Sequence, residues 1–457
     1  MRVSLWGFIF AIEAAVVGST SIPFDRPINA RAPPGPMTDR YMIYPKIGTP
    51  KSQTDAFTKR ISAKLGPNQI FMKSNSKLGV IFWVAPLTSD QVLEIDKISF
   101  IESVSLDQRL QSQQAVKWQT EPAPEETFDL TVKSGDLVKQ IDATTDLKMI
   151  STPKYSFAEN SLNYVFREPG GRGITIYIQD TGADPTSTEW INSPGLKRWI
   201  MSGDPFQEIY DDREDDPGDH GDCVFARAVG AKYGVAKNAN VVIVKCPALL
   251  DAPDKTTTTQ SSLLGGLVDI LNDVQFNHLQ KRAVVNLSYG FRPGSGRIER
   301  QFVARYKEVL EGILEEDVVV VVAAGNSWDP HRRHIDDWPA FFASELEGLI
   351  VVGAADMYGN LAEFSRGGPL MTVAAPGEDI VCGEIEDRFL ERSGTSYATP
   401  AVSGLAAYLL SLDKYRDRLM VETEVAVRVK ELIVSLAYSR VEGGPPIIHN
   451  GEESDTW

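Results

Sequence analysis

The sequence predicts an α/β protein: a three-layer α/β/α domain with a mostly parallel sheet, preceded by a small α+β unit. Three observations carry this. From about Leu147, wholly apolar strands (Ile174 to Ile178, Val241 to Val244, Ala283 to Leu287, Val318 to Val322, Leu349 to Val352) alternate with helical stretches such as Ser261 to Leu279 and Glu299 to Leu314. Apolar strands separated by helices belong to parallel sheets covered on both faces. Residues 41 to 107 carry a shorter alternation of their own, and between the two regions periodicity is lost.

In chain order, Leu5 to Val17 is apolar, follows Arg2 and ends in Gly18-Ser19-Thr20-Ser21. That is the outline of a secretory signal over residues 1–21, interrupted by Glu13. Residues 22–40 read as an extended segment. Within 41–107, Tyr41 to Lys46 is a strand and Ser52 to Leu65 a helix. Leu78 to Ala85 is a strand, Thr88 to Asp96 a helix with a Thr88/Gln91 capping box, and Ser99 to Leu106 a last strand. The polar stretches Gln111-Ser112-Gln113-Gln114 and Glu121-Pro122-Ala123-Pro124-Glu125-Glu126 make 108–146 a solvated linker. The main domain is expected over 147–440, with a tail over 441–457.

Composition narrows the function. An apolar content of 42% and a charged content of 24% describe a globular protein. A formal net charge of -16 argues against a nucleic-acid partner. No other stretch approaches the ~20 apolar residues that span a bilayer, so no membrane anchor is expected. Three cysteines, Cys223, Cys246 and Cys382, are too few for a disulfide framework, and their odd number leaves at least one thiol outside any internal pair.

In parallel sheets, functional groups gather just beyond the C-terminal ends of strands and at helix starts. Four polar outliers stand at such places. Asp180 ends the first strand, in Gln179-Asp180-Thr181-Gly182. His220 opens a helical stretch between Gly218 and Gly221. Asn326 follows the strand Val318 to Val322, in Ala323-Ala324-Gly325-Asn326. Ser396 begins an apolar helix, in Ser393-Gly394-Thr395-Ser396-Tyr397-Ala398-Thr399-Pro400. Each fits an ordinary turn or cap when taken alone. Together, carboxylate, imidazole, amide and hydroxyl supply an orienter, a base, an oxyanion donor and a nucleophile.

With Tyr233-Gly234-Val235-Ala236-Lys237-Asn238-Ala239, Val285-Asn286-Leu287-Ser288-Tyr289-Gly290 and Ala374-Ala375-Pro376-Gly377, these motifs resemble the subtilisin-like serine proteases, most closely their proteinase K-like and fungal-type members. The resemblance covers roughly 147–440 and implies a secreted serine endopeptidase with the subtilisin-like fold. Asp180, His220 and Ser396 then act as the triad, and Asn326 donates to the oxyanion. The acid–imidazole–serine order and the amide donor match subtilisin, the worked case for this chemistry. Ser288, Tyr289 and Gly290 resemble the family's substrate-pairing edge. Their overlap with the sequon Asn286-Leu287-Ser288 makes glycosylation there unexpected. Residues 41–107 are similar in pattern to the family's ferredoxin-like propeptides, which implies a self-processing zymogen inhibited by its own propeptide and cleaved between about Leu106 and Leu147. Polypeptides are the implied substrates. No cofactor is required for the chemistry, and room is left for a structural calcium ion.

Several departures from the family pattern qualify these expectations. Asp222 follows His220-Gly221 where a small Thr is usual; close to the imidazole, it would raise the pKa and make a poorer base. Phe225 replaces a small residue and risks overpacking. Cys223 would bring a thiol near the site. These changes motivate the alternative of a catalytically weak or inactive binding or decoy protein. A third reading, the serine-carboxyl peptidases, replaces the His partner, which the intact His220-Gly221 motif opposes. Asp337, beside Asp336 and two residues before Pro339, falls where the family has the pocket floor and would favour Arg or Lys before the cut. The acidic run Asp211-Asp212-Arg213-Glu214-Asp215-Asp216 would add long-range attraction for basic peptides.

Overall fold

A computed structural model of the chain describes residues 39–111, 119–122, 131–154, 163–206, 211–216, 219–247, 249–252, 255–292, 300–385 and 388–452. The expected signal and nearly all of the extended segment after it lie outside them. The N-terminal unit runs β1 (Arg40–Pro45), α1 (Lys51–Leu65), β2 (Phe71–Asn75), β3 (Gly79–Pro86), α2 (Ser89–Asp96) and β4 (Ile101–Leu106). Its four strands form an antiparallel sheet in the order β2-β3-β1-β4, and the Thr88/Gln91 capping box is present. Strand β2 escaped the sequence reading, because Phe71-Met72-Lys73-Ser74-Asn75 carries little apolar alternation.

Both faces of this sheet are buried, by different partners. Ile43, Trp83 and Ala85 pack against Phe57, Ile61 and Ile95 of the unit's own helices. The alternate residues Met42, Tyr44, Phe82 and Val84 join one apolar cluster with Leu264, Leu267, Phe302 and Tyr306 of the main domain. A strand's period of two sends successive side chains to opposite faces, so one sheet serves two cores. Polar contacts frame the junction. Lys73 pairs with Asp269 and Lys77 with Glu316, and Asn75 Nδ2 donates to Asn272 and Gln275.

The stretch expected to be a linker is partly ordered. Strand β5 (Arg109–Gln111) and strand β6 (Gln119–Pro122) add to hairpins described below, and β7 (Thr131–Ser134) pairs with β8 (Leu137–Gln140). Helix α3 (Thr145–Met149) follows, and β9 (Tyr164–Arg167) pairs with β8. The main domain therefore begins before residue 147.

The central layer is a seven-stranded sheet with every pairing parallel. Its order is β11 (Lys197–Met201), β12 (Asn240–Lys245), β10 (Thr175–Asp180), β15 (Ala283–Leu287), β16 (Val319–Ala323), β17 (Leu349–Ala355) and β18 (Val373–Pro376). The five predicted strands are present, and β11 and β18 are added at the edges. Helices α6 (Gln260–Phe276) and α7 (Arg300–Glu315) contribute to the same apolar cluster as the N-terminal unit. The other major cluster holds α5 (His220–Val229), α8 (Thr395–Ser411) and α10 (Val425–Leu436). Short α4 (Thr188–Asn192) and α9 (Arg416–Leu419), with hairpins β13 (Leu249–Ala252)–β14 (Lys255–Thr259) and β19 (Ile380–Ile385)–β20 (Arg388–Arg392), complete the domain.

The expected C-terminal tail is instead built in. Ile447, Ile448 and Asn450 are buried. Ile448 N–H donates to Ala374 O at 3.0 Å, and Asn450 Nδ2 to Val165 O at 2.7 Å. Arg167 and Lys414 both pair with Glu452. The domain thus runs to at least Glu452, and its polar spacing hid this from a reading based on apolar periodicity.

Candidate active site

The four singled-out groups stand at the C-terminal edge of the sheet or at a helix start. Asp180 closes β10, His220 opens α5, Asn326 follows β16, and Ser396 is the second residue of α8. All four are buried. Asp180 Oδ1 lies 2.7 Å from His220 Nδ1. The same oxygen accepts from the Thr181 N–H at 2.8 Å, and Thr181 Oγ1 accepts from the Gly221 N–H at 3.0 Å. Carboxylate and imidazole helix are thereby locked together. A Cβ on Gly221 would lie 2.2 Å from Gly182 O, so only glycine lets the helix approach the turn this closely.

Two further acids hold α5: Asp146, which carries no signal in the sequence, and Asp216, which the sequence presents only as the end of an acidic run. Arg227, fully buried, pairs with Asp146 of α3; breaking such a pair typically costs ~3–5 kcal/mol. Asp219, the N-cap, has φ 54 and makes no side-chain cap bond. Asp216 Oδ2 supplies a cap instead, accepting from the Asp222 N–H at 2.8 Å.

The charges around His220 oppose one another. Burial disfavours the imidazolium, but Asp180, by charge and hydrogen bond, and Asp216, by charge, outweigh it; Arg392 works against them. The net effect raises the His220 pKa above its ordinary 6.5. His220 Nε2 has no hydrogen-bond partner among the described residues, Ser396 Oγ included. Hydrogen bonds of this kind often tighten only when substrate is bound. The Tyr397 ring packs on the imidazole at a centroid distance of 5.2 Å, a neighbour that the sequence did not suggest.

Asn326 and the serine helix are joined through Thr395. Asn326 Oδ1 accepts from Thr395 N–H at 3.0 Å and from Thr395 Oγ1 at 2.9 Å. With the carbonyl end of the amide so engaged, Nδ2 is its donor end. Gly325, at φ 91, turns the chain between β16 and Asn326. Helix α8 is buried from Thr395 to Leu410 and presents Ser396 at its positive end. Ser403 Oγ donates to Asn286 Oδ1 at 2.8 Å, and Asn286 Nδ2 to Ser288 Oγ at 2.9 Å. These bonds tie α8 to the end of β15, beside Ser288, Tyr289 and Gly290. Asn286 is completely buried, which closes the sequon.

Several sequence expectations are corrected here. The Asp222 carboxylate is engaged elsewhere, accepting from the Asp184 N–H at 3.0 Å, and the acids that chiefly raise the His220 pKa are Asp180 and Asp216. Burial, opposed by the Asp184 bond but reinforced by the charges of Asp216, Asp184 and Asp219, pushes the Asp222 pKa up to about 7. Phe225 is not overpacked; its ring meets Trp190 at 4.9 Å, in an aromatic group with Trp199. Cys223 is no thiol, because it forms a disulfide with Cys382 that links α5 to β19. The free cysteine is Cys246, buried at the end of β12. The acidic run is partly neutralised: Lys245, almost fully buried, pairs with Asp211 and Asp215, and Arg213 pairs with the same two, while Asp212 and Glu214 are exposed. Asp337 is not an open carboxylate, since Arg292 holds Oδ1 and Arg366 approaches Oδ2 at 3.5 Å. Burial raises its pKa to about 6, against the lowering effect of Arg292.

The backbone also reveals two edges that accept an added strand. Strand β5 pairs antiparallel with β14, Thr257 opposite Gln111 and Thr259 opposite Arg109. Strand β6 pairs antiparallel with β20, which leads directly into Ser393 and the serine helix. The threonine run in β14 gave no apolar signal to mark it. Among the described residues, no group of three or more His, Cys, Asp or Glu side chains is placed to hold a metal ion, and no helix is long and apolar enough to cross a membrane.

A seven-stranded parallel sheet between helices, with acid, imidazole, amide and hydroxyl at its C-terminal edge, defines a class shared with known proteins. Residues 171–450 match the model of the subtilase family, and the chain belongs to that family. It is 31% identical to subtilisin-like protease 9 of Arthroderma gypseum over 60% of this chain, a match spanning 63% of that protein. Subtilisin-like protease 9 of Arthroderma benhamiae is 29% identical, over 69% of this chain and 71% of its own length. Among solved structures, a cold-adapted subtilisin-like serine proteinase superposes with a TM-score of 0.50 and 22% identity, covering 68% of this chain and 98% of its own. The epidermin leader peptide processing serine protease of Staphylococcus aureus gives 0.58 and 17%, covering 91% and 99%. At these identities the two structures establish the fold.

Proposed function

We propose that the chain is a serine endopeptidase, made as a zymogen and exported, that hydrolyses polypeptides through an acyl-enzyme. The observation that carries this is the Asp180–His220 pair at 2.7 Å beside a serine helix that Thr395 links to Asn326. Ser396 Oγ attacks the scissile carbonyl while His220 Nε2 takes its proton and then delivers it to the leaving amine. Asp180 keeps Nδ1 protonated and stabilises the imidazolium. Asn326 Nδ2 and the Ser396 N–H receive the oxyanion, and loss of such a donor typically costs ~2.7–4 kcal/mol. No cofactor enters these steps.

The extended substrate adds as a strand to β14 and to the segment Ser288-Tyr289-Gly290. That β5 already pairs with β14 supports the N-terminal unit as an inhibitor whose exit strand takes the place of substrate. Its shared apolar cluster with α6 and α7 supports tight binding. The Cys223–Cys382 disulfide suits an oxidising compartment, in keeping with secretion. A fluorophosphonate probe tests the reading: it should label the purified wild-type protein and not Ser396→Ala. An unlabelled wild type would refute it, and the N-terminal sequence of the labelled form would locate the processing point.

A further inference from the structure

The loop that precedes α5 is fastened by a side chain from the sheet. Lys245 ends β12 in register with Asp180 on β10 and Met201 on β11. Side chains alternate between the two faces of a strand, and Val241 and Ile243 belong to the apolar cluster of α5 and α8. Lys245 therefore points to the α5 face, where Asp180 meets His220. Its side chain is 1% exposed. An ammonium taken out of water needs a partner for each of its three N–H donors. All three partners lie in one loop: Asp211 Oδ2 at 2.9 Å, Arg213 O at 2.8 Å and Asp215 Oδ1 at 2.6 Å.

That loop, residues 211–216, contains neither helix nor strand, so no ladder of backbone bonds sets its position. It nevertheless lies against the candidate site. A Cβ on Gly182 would fall 2.0 Å from Asp215 O, so the loop rests directly on the turn after Asp180. Gly221 of α5 packs on the same turn. Asp216 then accepts from the Asp222 N–H at 2.8 Å, and its charge acts on His220. The groups that face the imidazole from other segments are Asp180 of β10, Asp216 of the loop, Arg392 of β20 and the Tyr397 ring of α8. Asp219 and Asp222 flank it on its own segment. Among the four from other segments, Asp216 alone is placed by neither a helix nor a strand.

We infer that Lys245 is a positioning residue, a role that rests on the serine endopeptidase reading: it ties loop 211–216 to the C-terminal edge of the sheet and so holds Asp216 at the start of α5, beside the base. A Met at this position would fill a similar volume and leave the loop untied. The test is a double-mutant cycle read on the acid limb of kcat/KM, which reports the base in the free enzyme. With Lys245 present, Asp216→Asn should move that limb down by roughly half a pH unit. In a Lys245→Met background the same change should move it less than about half as far, because the carboxylate is no longer held in place. Lys245→Met alone should lower kcat/KM by about tenfold through misplacement of the base. A purely structural role would leave the response to Asp216→Asn unchanged. The double variant Asp211→Ala/Asp215→Ala unties the loop without altering the sheet, and it should weaken that response in the same way; it carries the test where Lys245→Met does not fold. An equal shift of the limb with and without the tie overturns the positioning role and leaves the peptidase reading standing. A wild type that neither takes the fluorophosphonate nor cleaves peptides overturns the peptidase reading, and the positioning role with it.

Discussion

Replacing Asp222 by Asn isolates a destabilising charge in the first turn of α5, two residues from His220. The carboxylate is largely buried among Asp216, Asp184 and Asp219, and its pKa rises from the ordinary 3.8 to about 7. At about 1.4 kcal/mol per unit, the ionised form weakens folding by up to ~4 kcal/mol, and residual solvent contact reduces this to ~2–4 kcal/mol. Asn keeps the oxygen that accepts from the Asp184 N–H at 3.0 Å and removes only the charge. Below pH 3.8 folded and unfolded chains both carry the proton, so wild type and variant should be equally stable. As pH rises toward 7 the unfolded chain releases its proton first, and wild type falls progressively behind. Above about pH 7 the difference should be constant. Calorimetric unfolding of both proteins from pH 4 to 8 should give coincident midpoints at the acid end and a variant several degrees more stable at the alkaline end. A variant less stable than wild type at pH 8, or a gap independent of pH, would refute the reasoning.

Asp216→Asn keeps the oxygen that caps α5 and removes a charge that raises the His220 pKa. The wild-type acid limb of kcat/KM should lie above pH 6.5 and move down in the variant; an unmoved limb would exclude Asp216 from tuning the base. Asn326→Ala should lower kcat by about 10²–10³ with little change in KM, because the amide acts on the transition state; a change in KM alone would contradict that role. Removing both Cys223 and Cys382 opens a link across 159 residues, a loss of roughly 5 kcal/mol by chain entropy that should appear as a lower urea midpoint. An unchanged midpoint would mean that the crosslink restrains nothing.

Legibility followed the physics of each signal. The parallel sheet was readable because Ile176, Val242, Val285 and Val320 are apolar whichever face they occupy. The candidate site was legible because Asp180, His220, Asn326 and Ser396 interrupt that apolar pattern at strand and helix ends. Strand β2, the threonine-rich β14 and the segment Pro446 to Glu452 escaped notice. Their partners are backbone groups and distant side chains, which leave no local period in the sequence. The same limit hid Asp146 and Asp216, acids whose roles depend on Arg227 and on a helix N-terminus.

The sequence by itself determined the layers, the order of the four chemical groups and the family they resemble, because these rest on local residue type and periodicity. Only the tertiary structure decided which charges are open. Asp222 is engaged by the Asp184 N–H, Asp337 is held by Arg292 and Arg366, and Cys223 is bonded to Cys382. A charged side chain acts through whatever lies within a few ångströms of it, and those neighbours come from segments far apart in the chain. Sequence distance carries no record of them.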